Sequence, residues 1–251
     1  MAPTPHHCPG ARSVADAPQS PNASLDIVAI DGPGGVGKSS VARALAARLG
    51  WVYIDTGAMY RAVTLAAVEQ GLSLRDEPAL AQLTRGAKIE LRPDPSGDPS
   101  VWLDGRDVSL AIRTNEISVA TAHVADTPSV RRLLVAHQQG LGERGQVVMD
   151  GRDITTVVFP RARWKFYLDA SLCERVQRRA EQLIAKGMWV DSDELTQQIM
   201  ERDRRDRIRP VGPLRIAHDA VVVDTTSLPF GTVVETLLAQ VTTSPRVTTP
   251  A

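Results

Sequence analysis

The chain of 251 residues is poor in the features that would commit it to a special environment. It has two cysteines, Cys8 and Cys173, far apart in sequence. A structural disulfide is therefore not expected, and a reducing compartment is. Charge of one sign is not in excess: Lys and Arg number 29, and so do Asp and Glu. No overall field then draws the protein to nucleic acid or to an anionic membrane, so phosphate chemistry must come from local clusters. Aromatic residues are 4% of the chain and do not interleave with its basic segments, which argues against an RNA-stacking surface. No apolar run approaches a membrane span, and the first 24 residues hold no signal-peptide core. A cytoplasmic protein with neither membrane nor nucleic-acid partner is expected.

Residues 1–24 are rich in Pro, Ala and Ser without periodicity, and residues 242–251 read the same way. Both are expected to be disordered, since they cannot bury enough apolar surface to offset their ordering entropy. His6, His7 and Cys8 have no further ligands near them, and the five histidines show no metal-ligand spacing.

Residues 25–241 carry the folded domain. Leu25–Ile30, Trp51–Ile54, Val147–Met149, Phe166–Leu168 and Val221–Val223 are short apolar runs, each followed by Asp. Val41, Leu45 and Leu49 recur every four residues and mark a helix stopped by Gly50. Ser171 with Glu174 predicts a capping box at the start of a helix running to about Ala185. Five runs with helices between them predict an α/β fold, a five-stranded parallel sheet covered on both faces. Ligands of such sheets sit beyond the carboxyl ends of the strands, where the Asp residues stand. Residues 86–110 differ. Lys88–Leu91 and Val101–Leu103 alternate around a Pro-rich segment and predict a small antiparallel insertion.

Gly32-Pro33-Gly34-Gly35-Val36-Gly37-Lys38-Ser39 matches G-x-x-x-x-G-K-[ST] in full, after an apolar strand and before a helix. Glycines let successive N–H groups turn inward around a β-phosphate, and the helix N-terminus adds its dipole. Lys38 is placed to bridge the β- and γ-phosphates, and the Ser39 hydroxyl to ligate Mg²⁺. ATP or GTP binding follows. The guanine-reading tetrapeptide Asn-Lys-x-Asp is missing, which disfavours a GTPase switch.

Three further segments carry groups for a second phosphorylated ligand. Asp55-Thr56-Gly57-Ala58-Met59-Tyr60-Arg61 offers backbone, hydroxyl and guanidinium at a strand-to-helix junction. On its own it is equally a helix start with a surface Arg. Asp150-Gly151-Arg152-Asp153 puts Asp150 in the position of a Mg²⁺-binding carboxylate and Arg152 within reach of a transferred phosphoryl. Its bland alternative is a tight turn with a surface ion pair. In the segment Glu201–Pro210, Arg202, Asp206 and Arg209 fall on one helical face, with Arg204 and Arg205 aimed elsewhere, toward the ATP side. A solvated helix laced with pairs such as Asp203–Arg207 would look the same. If the acceptor is a nucleoside monophosphate, its phosphate oxygen is already anionic and needs no general base. Repulsion between two anions is the problem, and cations solve it.

These residues resemble the bacterial cytidylate kinases, within the nucleoside-monophosphate kinase group of P-loop enzymes. IDGPGGVGKSS, YIDTGAMYR, LAIRTNEIS, VVMDGRDITTVVFP, KFYLDAS and ERDRRDRIRP occur in that family's order over about residues 25–240. The resemblance implies transfer of phosphoryl from ATP, with Mg²⁺, to CMP or dCMP; a monomer is expected. Another monophosphate (UMP, AMP, dTMP) or a small metabolite is the alternative acceptor. It implies an ATP site on Gly32–Ser40, with Ser40 included, and Arg175, Arg178 and Arg179 closing over the ATP phosphates beside a short lid at Lys186–Asp191. It implies a CMP phosphate held by Thr56, Arg61 and Arg152 with Asp153 alongside, ribose contacts from Arg202 and Asp206, and cytosine contacts from Arg131 and Arg209. Two positions depart from the family. Thr56 replaces a Ser but keeps the hydroxyl, and Ala122 replaces a base-contacting Ser, with Thr121 before it.

Overall fold

A computed structural model of the chain describes residues 25–92 and 99–243. The predicted extension 1–24, with His6, His7 and Cys8, lies outside the described residues, as do 244–251. In chain order the elements are β1 (Leu25–Asp31), α1 (Lys38–Leu49), β2 (Val52–Asp55), α2 (Thr56–Glu69), α3 (Glu77–Gly86), β3 (Ile89–Arg92), β4 (Ser100–Leu103), β5 (Arg106–Asp107), α4 (Asn115–Asp126), α5 (Pro128–Gly142), β6 (Val147–Asp150), β7 (Ala162–Asp169), α6 (Leu172–Ile184), α7 (Ser192–Ile208), β8 (Val221–Asp224) and α8 (Phe230–Thr243). Thr242 and Thr243, expected in the disordered tail, belong to α8.

Five strands form one parallel sheet in the order β2-β6-β1-β7-β8. Their register aligns the carboxyl ends. Asp55 and Ile30 both pair with Asp150, Asp31 pairs with Tyr167, and Asp169 pairs with Asp224. The acidic residues that end the strands therefore share one rim. Alternation on β1 sends Val28 and Ile30 into a core with Val41, Leu45, Phe166 and Leu237, under α1 and α8. Ile27 and Ala29 face the opposite core with Ile54, Met149, Val158 and Phe159.

The insertion is a three-stranded antiparallel sheet, β3-β4-β5, packed on α2 through Ile89, Val101 and Leu103. Residues 186–191, where a lid is expected, lie in the connection from α6 to α7, and Asp191 caps α7 by accepting from Asp193 N and Glu194 N. Trp189 in that connection is 84% exposed. Among the described residues no helix is long and apolar enough to cross a membrane.

Candidate active site

The phosphate-binding loop hangs between β1 and α1 and is held from three sides. At Gly32, with φ +148°, a Cβ would fall 2.0 Å from the Leu168 carbonyl oxygen, so only glycine fits. Arg175 Nη1 donates to the Gly34 carbonyl at 3.2 Å, and Thr225 Oγ1 donates to the Val36 carbonyl at 3.1 Å. Lys38, buried at the start of α1, donates from Nζ to the Pro33 carbonyl at 2.6 Å. Burial and the neighbouring Arg152 hold its ammonium well below the usual lysine range. Arg202 is pushed down to about 10 by burial and by Arg152. The site is thus a cluster of cations short of negative charge.

Asp31 ties the second segment to this loop. Its fully buried carboxylate accepts from Ile154 N at 2.9 Å, Thr155 N at 2.8 Å and Thr155 Oγ1 at 2.5 Å. Ile154–Val158 form a π-helical turn, and Gly151 N donates to the Ile30 carbonyl at 3.0 Å. Arg152 is aimed by that anchorage, with Nε donating to Asp206 Oδ2 at 2.8 Å. A Cβ on Gly34 would lie 3.7 Å from Arg152 Nη2 and 4.0 Å from Arg202 Nε, so both guanidinium groups stand against the phosphate loop. Thr56 Oγ1 donates to the Asp150 carbonyl at 2.7 Å, and Arg61 Nη2 to Asp55 Oδ2 at 2.8 Å.

Farther along the cleft, Arg131 reaches Asp153 Oδ2 at 2.5 Å and the Ala125 carbonyl at 2.9 Å, with its guanidinium 5.2 Å from the Tyr60 ring centre. Arg209 lies one residue past the end of α7 rather than on it, and bends back. Its Nε donates to the Gly212 carbonyl at 2.5 Å, Nη1 to Asp206 Oδ1 at 3.3 Å, and Nη2 sits 3.7 Å from Asp153 Oδ1. Ser118 and Thr121 face the same end from α4, each hydroxyl donating to a carbonyl one turn back. Their lone pairs stay free to accept. Ala122 does not line the cleft.

Together these groups border one cleft of about 880 Å³. Its walls include Gly34–Ser40, Thr56, Arg61, Arg131, Asp150, Arg152, Asp153, Arg178, Arg179, Arg202, Asp206 and Arg209. Gly32 and Pro33 are buried and do not line the cleft. Three expectations need correcting. Arg175 does not overhang the cleft: it is buried beneath the loop and paired with Asp203 at 2.7 Å. Asp203 is thus committed to α6 rather than to Arg207, the i,i+4 partner that a solvated helix would have offered it. Arg204 and Arg205 both pair with Glu201, at 2.8 and 2.9 Å, away from the cleft. Ser171 caps α6 by accepting from Glu174 N at 3.2 Å, but Glu174 turns to Arg178 instead of completing a capping box.

Sequence reasoning missed Tyr53, whose hydroxyl donates to Asp150 Oδ1 at 2.8 Å. Tyr53 and Asp55 share a face of β2 by simple alternation, which was the available signal. It also missed Gln182 and Phe230, which border the cleft near Arg178 and Thr225.

Ser39 Oγ donates to Asp150 Oδ2 at 2.9 Å. Burial, then the neighbouring Asp55, raise the Asp150 carboxyl to about 6, against the opposing pull of Lys38. A hydroxyl and a carboxylate are hard oxygen donors that fit Mg²⁺. Among the described residues no group of three or more His, Cys, Asp or Glu could hold a metal, so substrate oxygens and water would complete the shell.

The family model for cytidylate kinase matches residues 28–243. A cytidylate kinase of Pelotomaculum thermopropionicum is 47% identical over 223 residues, covering 89% of this chain and 99% of the relative. That of Exiguobacterium sibiricum is 50% identical over 210 residues, 84% of this chain and 94% of the relative. That of Geobacillus kaustophilus is 49% identical over 211 residues, with coverage of 84% and 94%. On this evidence the chain belongs to the cytidylate kinase family.

Proposed function

We propose that the protein transfers the γ-phosphoryl group of ATP to CMP and dCMP, giving ADP and CDP or dCDP. The observation that carries this reading is Arg152 and Arg202 standing within about a side-chain contact of Gly34, in the same cleft as Arg131 and Arg209. ATP lies on Gly32–Ser40 with its phosphates in the loop, and Arg178 and Arg179 contact it from α6. The CMP phosphate is held by Thr56, Arg61 and Arg152. Arg202 and Asp206 bind the ribose, and Arg131 and Arg209 bind the cytosine.

Catalysis in this reading is positional and electrostatic. An oxygen of the CMP phosphate attacks the γ-phosphorus in line, the bond to the β-bridging oxygen breaks, and that oxygen leaves on ADP. Lys38 and Arg152 neutralise the charge that spreads over the transferred group. Asp153 orients Arg131 and Arg209. Ser39 and Asp150 would hold Mg²⁺, which when bound neutralises charge on the β- and γ-phosphate oxygens. The cationic cluster carries no general base because the nucleophile is already an anion. One chain supplies every group named, in keeping with a monomer. ATP and a cytidine monophosphate as substrates fit a cytoplasmic site of action without nucleic-acid or membrane partners.

The test is ADP release measured with CMP, dCMP, UMP, AMP and dTMP as acceptors. CMP and dCMP should give the highest kcat/KM. Equal turnover of UMP or AMP would refute the choice of acceptor.

A further inference from the structure

We infer that Arg175, held by Asp203, is a positioning residue that sets the orientation of the Gly34–Gly35 peptide for phosphate binding. The inference rests on the proposed use of ATP as donor. Arg175 is on α6 and Asp203 on α7, and both side chains are buried. Arg175 Nε donates to the Ala170 carbonyl at 3.2 Å, which fixes the guanidinium at the base of its own helix. Nη1 then bridges two partners, Asp203 Oδ2 at 2.7 Å and the Gly34 carbonyl oxygen at 3.2 Å.

The peptide geometry gives this bond its consequence. Across a planar trans peptide the carbonyl and the following N–H point in opposite directions. With the Gly34 carbonyl turned onto Arg175, the Gly35 N–H points away from Arg175, and both glycines line the cleft that Arg152 and Arg202 also border. A flipped peptide would present a carbonyl dipole to the phosphates instead, converting a donor of the cradle into a repulsive acceptor. Glycine on both sides makes such a flip inexpensive, since neither residue has a Cβ to oppose it. Gly35 has φ +83°, and a Cβ on it would meet the Arg175 Cβ at 3.3 Å, so the helix packs directly against the loop.

Asp203 adds a second link. It precedes Asp206 by one turn of α7, the helix that also carries Arg202. The Arg175–Asp203 pair thus joins the donor's cradle to the acceptor's helix through one buried bond.

A buried pair broken on one side strands a charge, so the informative variant removes both partners. Arg175→Met with Asp203→Leu replaces the pair by apolar groups of similar size, a change that is often neutral for stability. A merely structural pair would then leave kinetics unchanged in a folded enzyme. A positioning role predicts that KM for ATP rises about tenfold to a hundredfold, while KM for CMP changes less than about threefold, from losing one charge-assisted bond to the cradle. Should the double variant not fold, Arg175→Lys and Asp203→Asn read the same ratio, with the Lys variant shifting KM for ATP less than Asp203→Asn if charge alone suffices. Folded variants without an ATP-specific rise in KM would overturn the inference. If instead the wild-type enzyme fails to transfer phosphoryl from ATP to CMP, it is the proposed function that fails.

Discussion

Arg131 Nη2 and Asp153 Oδ2 meet at 2.5 Å with both side chains buried. The other oxygen of the same carboxylate lies 3.7 Å from Arg209 Nη2. One acid therefore aims two guanidinium groups, drawn from α5 and from the end of α7, at the same end of the cleft. Gly212 closes the cluster at φ +59°, where a Cβ would fall 2.0 Å from Asp153 Oδ2.

Asp153→Asn should accordingly damage both stability and substrate recognition. Removing one partner of a buried ionic cluster costs about 3–5 kcal/mol, because the remaining charges lose their compensation. Urea unfolding should show a loss of that size, and KM for CMP should rise more than KM for ATP. Gly212→Ala should push in the same direction by displacing the carboxylate. A variant with wild-type stability and unchanged KM for CMP would contradict this assignment.

Lys38→Ala tests the donor side. The ammonium is buried among Arg152 and Arg202, so the fold gains nothing from its charge when no nucleotide is bound. Removing it should leave the circular dichroism spectrum and melting temperature close to wild type. Turnover should fall by about 10²–10³-fold or more, the scale expected for losing one preorganised electrostatic contact to a transition state.

Much of this architecture is legible in the sequence, for identifiable reasons. The runs ending in Asp stood out because the inner strands β1, β6 and β7 are largely buried and therefore mostly apolar, the edge strands β2 and β8 keep the same β-branched character although Val52, Val221 and Val222 are exposed, and the sheet's ligand-binding rim must be polar. Strand β7 was read as Phe166–Leu168 although it begins at Ala162. Arg163 and Lys165 interrupt the apolar pattern there, and only tertiary contacts explain them. Lys165 is neutralised by Asp219 at 2.7 Å and Arg163 by Asp26 at 3.1 Å, partners distant in sequence. The same limit misplaced Arg175. Helical spacing offers Arg207 to Asp203, but cannot reveal that α6 covers that face.

Base choice was the least legible part, and the structure directs attention to α4. Thr121 Oγ1 donates to the Ile117 carbonyl at 2.6 Å, so its oxygen can only accept from a ligand, and Thr121 lines the same cleft as Arg131 and Arg209. An acceptor there suits the exocyclic amine of cytosine and not the carbonyl of uracil. Thr121→Val keeps the shape and removes the acceptor. It should lower kcat/KM for CMP about tenfold and leave UMP nearly unchanged, since a buried donor left unpaired costs on the order of 1–3 kcal/mol. Arg209→Ala should instead raise KM for CMP and reduce discrimination without weakening ATP. Equal losses for CMP and UMP in Thr121→Val would remove Thr121 from base reading.

Asp31 gives a prediction in pH. Burial raises its carboxyl from 3.8 to about 6, with the charge of Asp153 adding to the rise and the bonds from Ile154 and Thr155 opposing it. Between these two values the folded chain keeps a proton that the unfolded chain has already released. Stability is therefore greatest below the window and falls as pH rises through it, by up to about 3 kcal/mol for this one group. Asp150, also raised to about 6, adds a loss of the same sign, while Asp206, held low by Arg152, acts oppositely. Comparing wild type with Asp31→Asn isolates the Asp31 contribution, because the other groups are common to both. Relative to wild type, the Asn variant should gain stability steadily between pH 4 and pH 7 in urea unfolding. It should also lose activity with CMP at every pH, since its amide turns a donor toward the Ile154 or Thr155 N–H and loosens the loop that aims Arg152. A stability difference that does not change with pH would show that Asp31 is ionised without penalty in the folded protein.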